Sequence, residues 1–254
     1  MDNLDVFGRL RWGVRKLGSS TLFFLQMLQC SGYALRRWPL VSRQIYNSGV
    51  MSLVIVMTSG IFVGMVVGLQ GYDAFARLRQ EDLLGAGVAL TLLKELGPVV
   101  TALLFAGRAG TALTAEIGLM KATDQLSAME VMAIDPVARI AVPRFIGAAV
   151  ALPLLTAVFN SVGILGAYFV GVVLKGVDSG AFWSQMQEYV DPKDVGEGVL
   201  KSVVFGIAAG LIAVYEGYTA EPTAEGVGIA TTRTVVTTSV LVLILNYMIT
   251  AFML

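Results

Sequence analysis

Five long apolar runs set the frame of the chain: Val50–Leu69, Leu83–Gly107, Phe145–Leu174, Val199–Tyr215 and Val235–Leu254. A helix rises 1.5 Å per residue, so about 20 apolar residues cross about 30 Å of hydrocarbon. Each run is close to that length or longer, and the third is broken by Pro153. The runs are continuous, whereas the strands of a membrane barrel alternate over about ten residues. The pattern therefore predicts an all-α integral membrane protein with five spans, organised as one domain over 1–254, with a transmembrane core over 50–254.

The sequence ahead of the first run is different in character. Residues 4–35 place Arg9, Arg11, Arg15 and Lys16 among Leu10, Trp12, Val14 and Leu17, with Phe23, Phe24, Met27 and Leu28 beyond. Basic residues mixed with aromatics and a modest apolar stretch predict a helix lying in the membrane interface, within an N-terminal region over 1–43. A sixth span is the alternative. The stretch Leu22–Leu28 is short for a signal sequence and no small-residue cleavage site follows it.

Two connections are too polar to span. Residues 107–136 place Leu113, Ile117 and Met120 on one helical face, with Glu116, Lys121, Thr123, Asp124 and Gln125 elsewhere. Leu126, Met129 and Met132 continue an apolar face after a break, and Asp135–Pro136 ends the helix. Such an amphipathic helix between the second and third spans suits docking either to lipid or to a soluble partner. The second connection, 215–236, reads as a structured loop carrying Glu216, Glu221 and Glu225. Without histidine, those three carboxylates make a poor metal site.

Composition and charge narrow the function. Hydrophobic residues are 56 % of the chain and charged ones 14 %, against roughly 45–50 % and about 25 % in soluble domains. Net charge is zero, which argues against a nucleic-acid binder. With the N-terminus inside, twelve Lys and Arg fall in cytoplasmic segments and four in outer ones, so the bias predicts a cytoplasmic N-terminus and an outer C-terminus. The outer segment 175–198 also gathers Asp178, Glu188, Asp191, Asp194 and Glu197. Cys30 is the one cysteine, which rules out an intrachain disulfide, and it reads as a small apolar residue.

Lys94–Glu95, inside the second run, is the most expensive feature. A charge at the membrane centre costs at least about 2.5–3.5 kcal/mol, so it normally faces a cavity or a partner. Adjacent helical positions point about 100° apart, so the two side chains flank a polar region without sharing one spot. Lys201 is the candidate partner for Glu95. Pro98 leaves a backbone carbonyl of the helix without its donor. A bent helix with buried charge reads as a transport pathway, with a structural ion pair as the alternative. In the first span Gly60, Gly64 and Gly68 share one face, which allows close backbone approach either within the chain or across a dimer seam.

What the chain lacks is equally informative. It contains no G-x-x-x-x-G-K-[ST] phosphate loop, no G-x-S-x-G, no H-E-x-x-H and no histidine at all. A nucleotide-hydrolysing or acid–base enzyme is disfavoured. A proton-coupled carrier with Glu95 as relay and a lipid-modifying enzyme stand as rival readings of the membrane charge. The first would be expected to show inverted repeats, and none is evident.

The run KELGPVVTALLFAGRAGTALTAEIGLMKATDQLSAMEVMAIDPVARIAVPR, 94–144, resembles the signature region of the MlaE (YrbE) permease family. The resemblance continues through VVLKGVDSGAFW (172–183), KSVVFGI (201–207) and GYTAEPTAEGVGIATTRTVV (217–236), and covers the chain from about residue 44 onward. It implies the permease subunit of an ABC transporter that moves phospholipids between bacterial inner and outer membranes and maintains outer-membrane asymmetry. ATP and Mg would belong to separate ATPase subunits, with no cofactor or metal in this chain. A permease homodimer, a STAS-domain accessory protein and a periplasmic MCE-domain ring are the other implied partners. The implied location is the inner membrane, with the C-terminus periplasmic. The resemblance makes 111–132 a coupling helix, with Leu113, Glu116, Ile117, Lys121 and Asp124 as its contacts. It places Lys94, Glu95 and Lys201 along a lipid path, with Val67, Phe75 and Leu78 as apolar wall. The family commonly has Arg where this chain has Lys94, and lysine keeps the charge but not bidentate phosphate geometry.

Overall fold

The computed structural model describes residues 18–32 and 38–253, and within them it contains helices and no strands. Arg9, Arg11, Arg15 and Lys16 lie outside the described residues. Helix α1 covers 18–32. The first span joins α2 (Trp38–Gly49) through a tight turn at Val50–Ser52 to α3 (Leu53–Arg77). The second is one long rod: α4 (Leu84–Thr91), a π turn at Leu92–Leu96, α5 (Gly97–Phe105), a second π turn at Ala106–Gly110, and α6 (Thr111–Ala122). After α7 (Gln125–Val131), the third span runs from a π turn at Val137–Ala141 through α8 (Val142–Tyr168) to another at Phe169–Leu174. Helix α9 (Ser179–Tyr189), α10 (Pro192–Thr219) and α11 (Ala224–Met253) complete the chain.

Five helices are long and apolar enough to cross a membrane, in the positions the hydrophobic runs predict. All five extend past those runs. The second, Glu81–Ala122, has 42 residues and so reaches about 60 Å, twice the hydrocarbon thickness. Apolarity marks only the lipid-facing part of each rod, and the caps lie further out. Asp191 opens α10 with a reciprocal capping box to Asp194 ahead of Pro192, and the Asp178 carboxylate accepts from the Ala181 amide at 2.7 Å to open α9. Helix α9 falls in the acidic segment 175–198, where no apolar run announced it.

Two expectations need correcting. Helix α8 runs through Pro153 without a break. One lost backbone bond is tolerable when neighbouring helices surround the site. The 215–236 connection is a short turn at 220–223 between two helix ends, not a loop: Glu216 is buried in α10 and Glu225 begins α11.

The glycine stripe is an intramolecular seam. A Cβ at Gly64 would collide with the Gly163 carbonyl, one at Gly60 would sit 3.0 Å from the Phe159 oxygen, and one at Gly68 would sit 2.9 Å from Ala167 Cα. The constant offset of 99 residues shows α3 and α8 side by side and parallel. Lipid tails give little hydrophobic drive between helices, so this backbone-close packing supplies the cohesion.

The spans alternate in direction. One end of the bundle gathers α1, α6, α7 and the 220–223 turn; the other gathers 78–83 and α9. A long apolar core built on Leu92, Phe105, Leu152, Phe159 and Phe205 fills the middle. A second cluster at the α6–α7 end joins Phe23 and Met27 of α1 to Ile117, Leu126, Ile140 and Tyr215. Phe23 lies 5.9 Å from the Tyr215 ring and 5.3 Å from the Tyr218 ring. Helix α1 is thus held by one face, while Leu22, Leu25 and Leu28 stay exposed on the other. The Cys30 thiol donates to the Asp135 carboxylate at 3.6 Å, and burial together with that carboxylate raises its pKa.

Candidate functional site

The π turn at Leu92–Leu96 organises the membrane charges. Its neighbour Pro98 has no amide hydrogen, so the Lys94 carbonyl, four residues earlier, loses its ordinary helical donor. The Lys201 ammonium takes that place, donating to the Lys94 carbonyl at 2.8 Å. It also donates to Glu95 Oε1 at 2.7 Å and to the Thr250 hydroxyl at 2.8 Å. All three ammonium donors are used, which is how a lysine side chain with 1 % exposure stays in an apolar bundle.

Glu95 is the other half of the knot. Its Oε2 accepts from Asn246 Nδ2 at 3.0 Å and its Oε1 from the Thr250 hydroxyl at 3.1 Å. Second, fourth and fifth spans therefore meet at one carboxylate. Glu95 retains 38 % side-chain exposure, so the knot is sealed on the lysine side and open on the carboxylate side. Gly97 lets Asn160 of α8 approach the same helix, since a Cβ there would strike the Asn160 side-chain oxygen.

Lys94 points elsewhere, as adjacent helical positions must. Its ammonium sits 2.9 Å from Asp194 and 3.0 Å from Glu197, both on the first turns of α10. The expected pairing of Lys201 with Glu95 is present. Lys94 does not join it and is held by two carboxylates. In the sequence Asp194 and Glu197 stand out only as members of an acidic stretch, with no pairing to Lys94 foreseen, and Asn246 and Thr250 carry no expectation. The signal existed: Asp194, Glu197 and Lys201 recur at helical spacing on one face of α10, and Asn246 and Thr250 are four apart in an apolar span.

Val67 and Phe75 are half-buried against the membrane core, with Phe75 lying over Gly87 so closely that a Cβ there would sit 2.7 Å from the ring. Leu78 is exposed at the end of α3. Val67 and Phe75 stand on the first span and Leu78 just past its end, whereas the charged knot uses the second, fourth and fifth.

At the opposite end, residues 111–132 form two helices rather than one. Helix α6 continues the second span, and the chain breaks at Asp124, whose φ of 55° is left-handed, before α7. Leu113 and Ile117 are buried in the protein's own core, so their apolar face is already occupied and they are not surface contacts. Glu116 pairs with Arg144 at 3.1 Å, and Lys121 donates to the Tyr218 carbonyl at 2.9 Å, fastening α6 to the third and fourth spans. Asp124 is exposed. The apolar side chains that do reach the surface here are Leu119, Val131 and Met132. Deeper, the Thr114 hydroxyl lies 2.9 Å from the Ala213 carbonyl and 2.8 Å from the Thr234 hydroxyl, joining α6, α10 and α11.

Comparison with known proteins finds relatives over most of the chain. A family model described as Permease MlaE matches residues 41–252. The intermembrane phospholipid transport system permease protein MlaE of Haemophilus influenzae is 48 % identical over 94 % of this chain and 97 % of its own length. A probable ABC transporter permease protein of Rickettsia prowazekii is 38 % identical over 83 % of this chain and 82 % of its own. A chloroplast relative, the Arabidopsis thaliana protein trigalactosyldiacylglycerol 1, is 31 % identical over 85 % of this chain and 61 % of its own.

Proposed function

Because the chain belongs to the MlaE permease family, we propose that it is the membrane subunit of an ABC transporter moving phospholipid between inner and outer membranes, which maintains outer-membrane lipid asymmetry. The observation that carries the reading is the half-open charge knot of Glu95, Lys201, Asn246 and Thr250 inside an otherwise apolar bundle. Lysine and carboxylate neutralise each other, so the lipid tails meet no net charge there. The exposed edge of Glu95 offers a polar foothold for a headgroup. Val67, Phe75 and Leu78 supply apolar wall. Lys94, already held by Asp194 and Glu197, reaches a phosphate only by giving up those partners.

ATP and Mg belong to separate ATPase subunits that dock at the α6–α7 end. The exposed Leu119, Val131 and Met132 are the apolar contacts, with Glu116 and Asp124 at their margin. Leu113, Ile117 and Lys121 act from within by holding α6 to the third, fourth and fifth spans. Helix α6 is continuous with the rod that carries Glu95, and Glu116 at its middle lies 21 residues, about 32 Å, along that rod from Glu95. A push at one end is thereby delivered to the other. In this reading the chain works as a homodimer in the inner membrane with a STAS-domain accessory protein and a periplasmic MCE-domain ring, N-terminus inside and C-terminus periplasmic.

The test is ATPase recovery on the purified permease. Val131→Glu and Met132→Glu should abolish co-purification of the ATPase while leaving the permease folded in the membrane. Undiminished recovery would remove α7 from the docking surface.

A further inference from the structure

The second π turn of the second span, Ala106–Gly110, carries a cation that the transport reading does not use. The apolar run ends at Gly107, so Arg108 stands where hydrocarbon gives way to headgroups at the α6–α7 end. Its Nη1 donates to the Asn47 carbonyl at 2.8 Å and to the Ser52 hydroxyl at 3.3 Å, across the tight turn between α2 and α3. Both acceptors are neutral. Among the described residues no carboxylate pairs with Arg108, and neither Nε nor Nη2 has a partner. Arg144, the comparable arginine on α8, has Glu116 instead.

Guanidinium geometry makes the difference meaningful. Fixing Nη1 leaves the Nε–Nη2 edge free, and that edge presents two parallel N–H groups matched to two oxygens of one phosphate. Arg108 itself is half-buried, not sealed within the bundle. Beside the pinned turn, Val50, Met51 and Val54 are exposed apolar residues, a surface suited to acyl chains. We propose that Arg108 and the α2–α3 turn hold the phosphate of a resident phospholipid in the leaflet at the α6–α7 end. This lipid is not cargo: Arg108 lies 13 residues, about 20 Å, along the rod from Glu95. The site does not depend on the transport reading.

Delipidated full-length permease in mild detergent would be titrated with phosphatidylglycerol, diacylglycerol or inorganic phosphate, and adducts counted by native mass spectrometry. Phosphatidylglycerol should bind to wild type and its occupancy should fall about ten-fold in Arg108→Gln, the scale of a lost charged bidentate contact. Arg108→Lys should fall between the two, because it keeps charge without the fork; it also serves if Arg108→Gln does not fold. Diacylglycerol, which has no phosphate, should show no dependence on residue 108. Equal phosphatidylglycerol occupancy in wild type and both variants would overturn the site. Millimolar phosphate displacing the lipid, or binding in its place, would overturn the lipid assignment.

Discussion

The two π turns of the second span make opposite use of the same backbone device. Each widens the helix by one residue and so disturbs the regular pairing of its carbonyls. At Leu92–Leu96 the consequences are met within the chain: Lys201 serves the freed Lys94 carbonyl and Glu95, while Lys94 turns to Asp194 and Glu197. At Ala106–Gly110 the cation Arg108 finds only neutral acceptors. The difference separates a charge site completed by the protein from one left for a ligand. It also predicts unequal responses to mutation.

The largest effect should come from Glu95→Ala. It strands Lys201, almost fully buried, and breaking such a pair typically costs about 3–5 kcal/mol. Thermal unfolding in detergent would show it as a large loss of stability. Lys201→Met should cost less, about 1–3 kcal/mol, because the carboxylate left behind keeps Asn246 and Thr250 and part of its surface is open. If Lys201→Met equals or exceeds Glu95→Ala, the asymmetry between a sealed lysine and an open carboxylate is wrong.

Arg108→Gln removes bonds to two neutral oxygens and should cost about 1 kcal/mol. A loss as large as that of Glu95→Ala would show that the second π turn is a structural clasp like the first. Lys94→Met is the smallest, about 0–1 kcal/mol, since the ammonium is one-third exposed and its ion pairs are screened. Its ion pairs should weaken with added salt, and a melting temperature equally sensitive to salt in wild type and Lys94→Met would separate the pair from stability altogether.

Much of this was legible in the residues. Five spans follow from hydrophobic length, and the pairing of Glu95 with Lys201 follows from the high energy of unpaired charge in an apolar run. Helix ends were not legible, because α6 and the start of the first span leave the hydrocarbon as amphipathic rods that no apolar run marks. The face of α6 was misassigned for a related reason. Periodicity shows that Leu113 and Ile117 share a side, but not whether that side meets α10 or a partner. The ambiguous glycine stripe was resolved only when Gly163 and Ala167 came into register with Gly64 and Gly68. Lys94, drawn to the knot by adjacency in sequence, is turned away from it by one step of helical rotation.

The central claim is that the Glu95 knot lies on a phospholipid path driven by a separate ATPase. Its most direct test is ATP-dependent phospholipid movement in vesicles holding the permease assembled with its cognate ATPase, with ATP turnover measured in parallel. Wild type should move phospholipid, and Glu95→Gln, which keeps the side chain's shape, should still assemble and hydrolyse ATP while lipid movement falls to a small fraction. Unchanged movement in Glu95→Gln, or a folded wild-type assembly that turns over ATP and moves no phospholipid, would contradict the account.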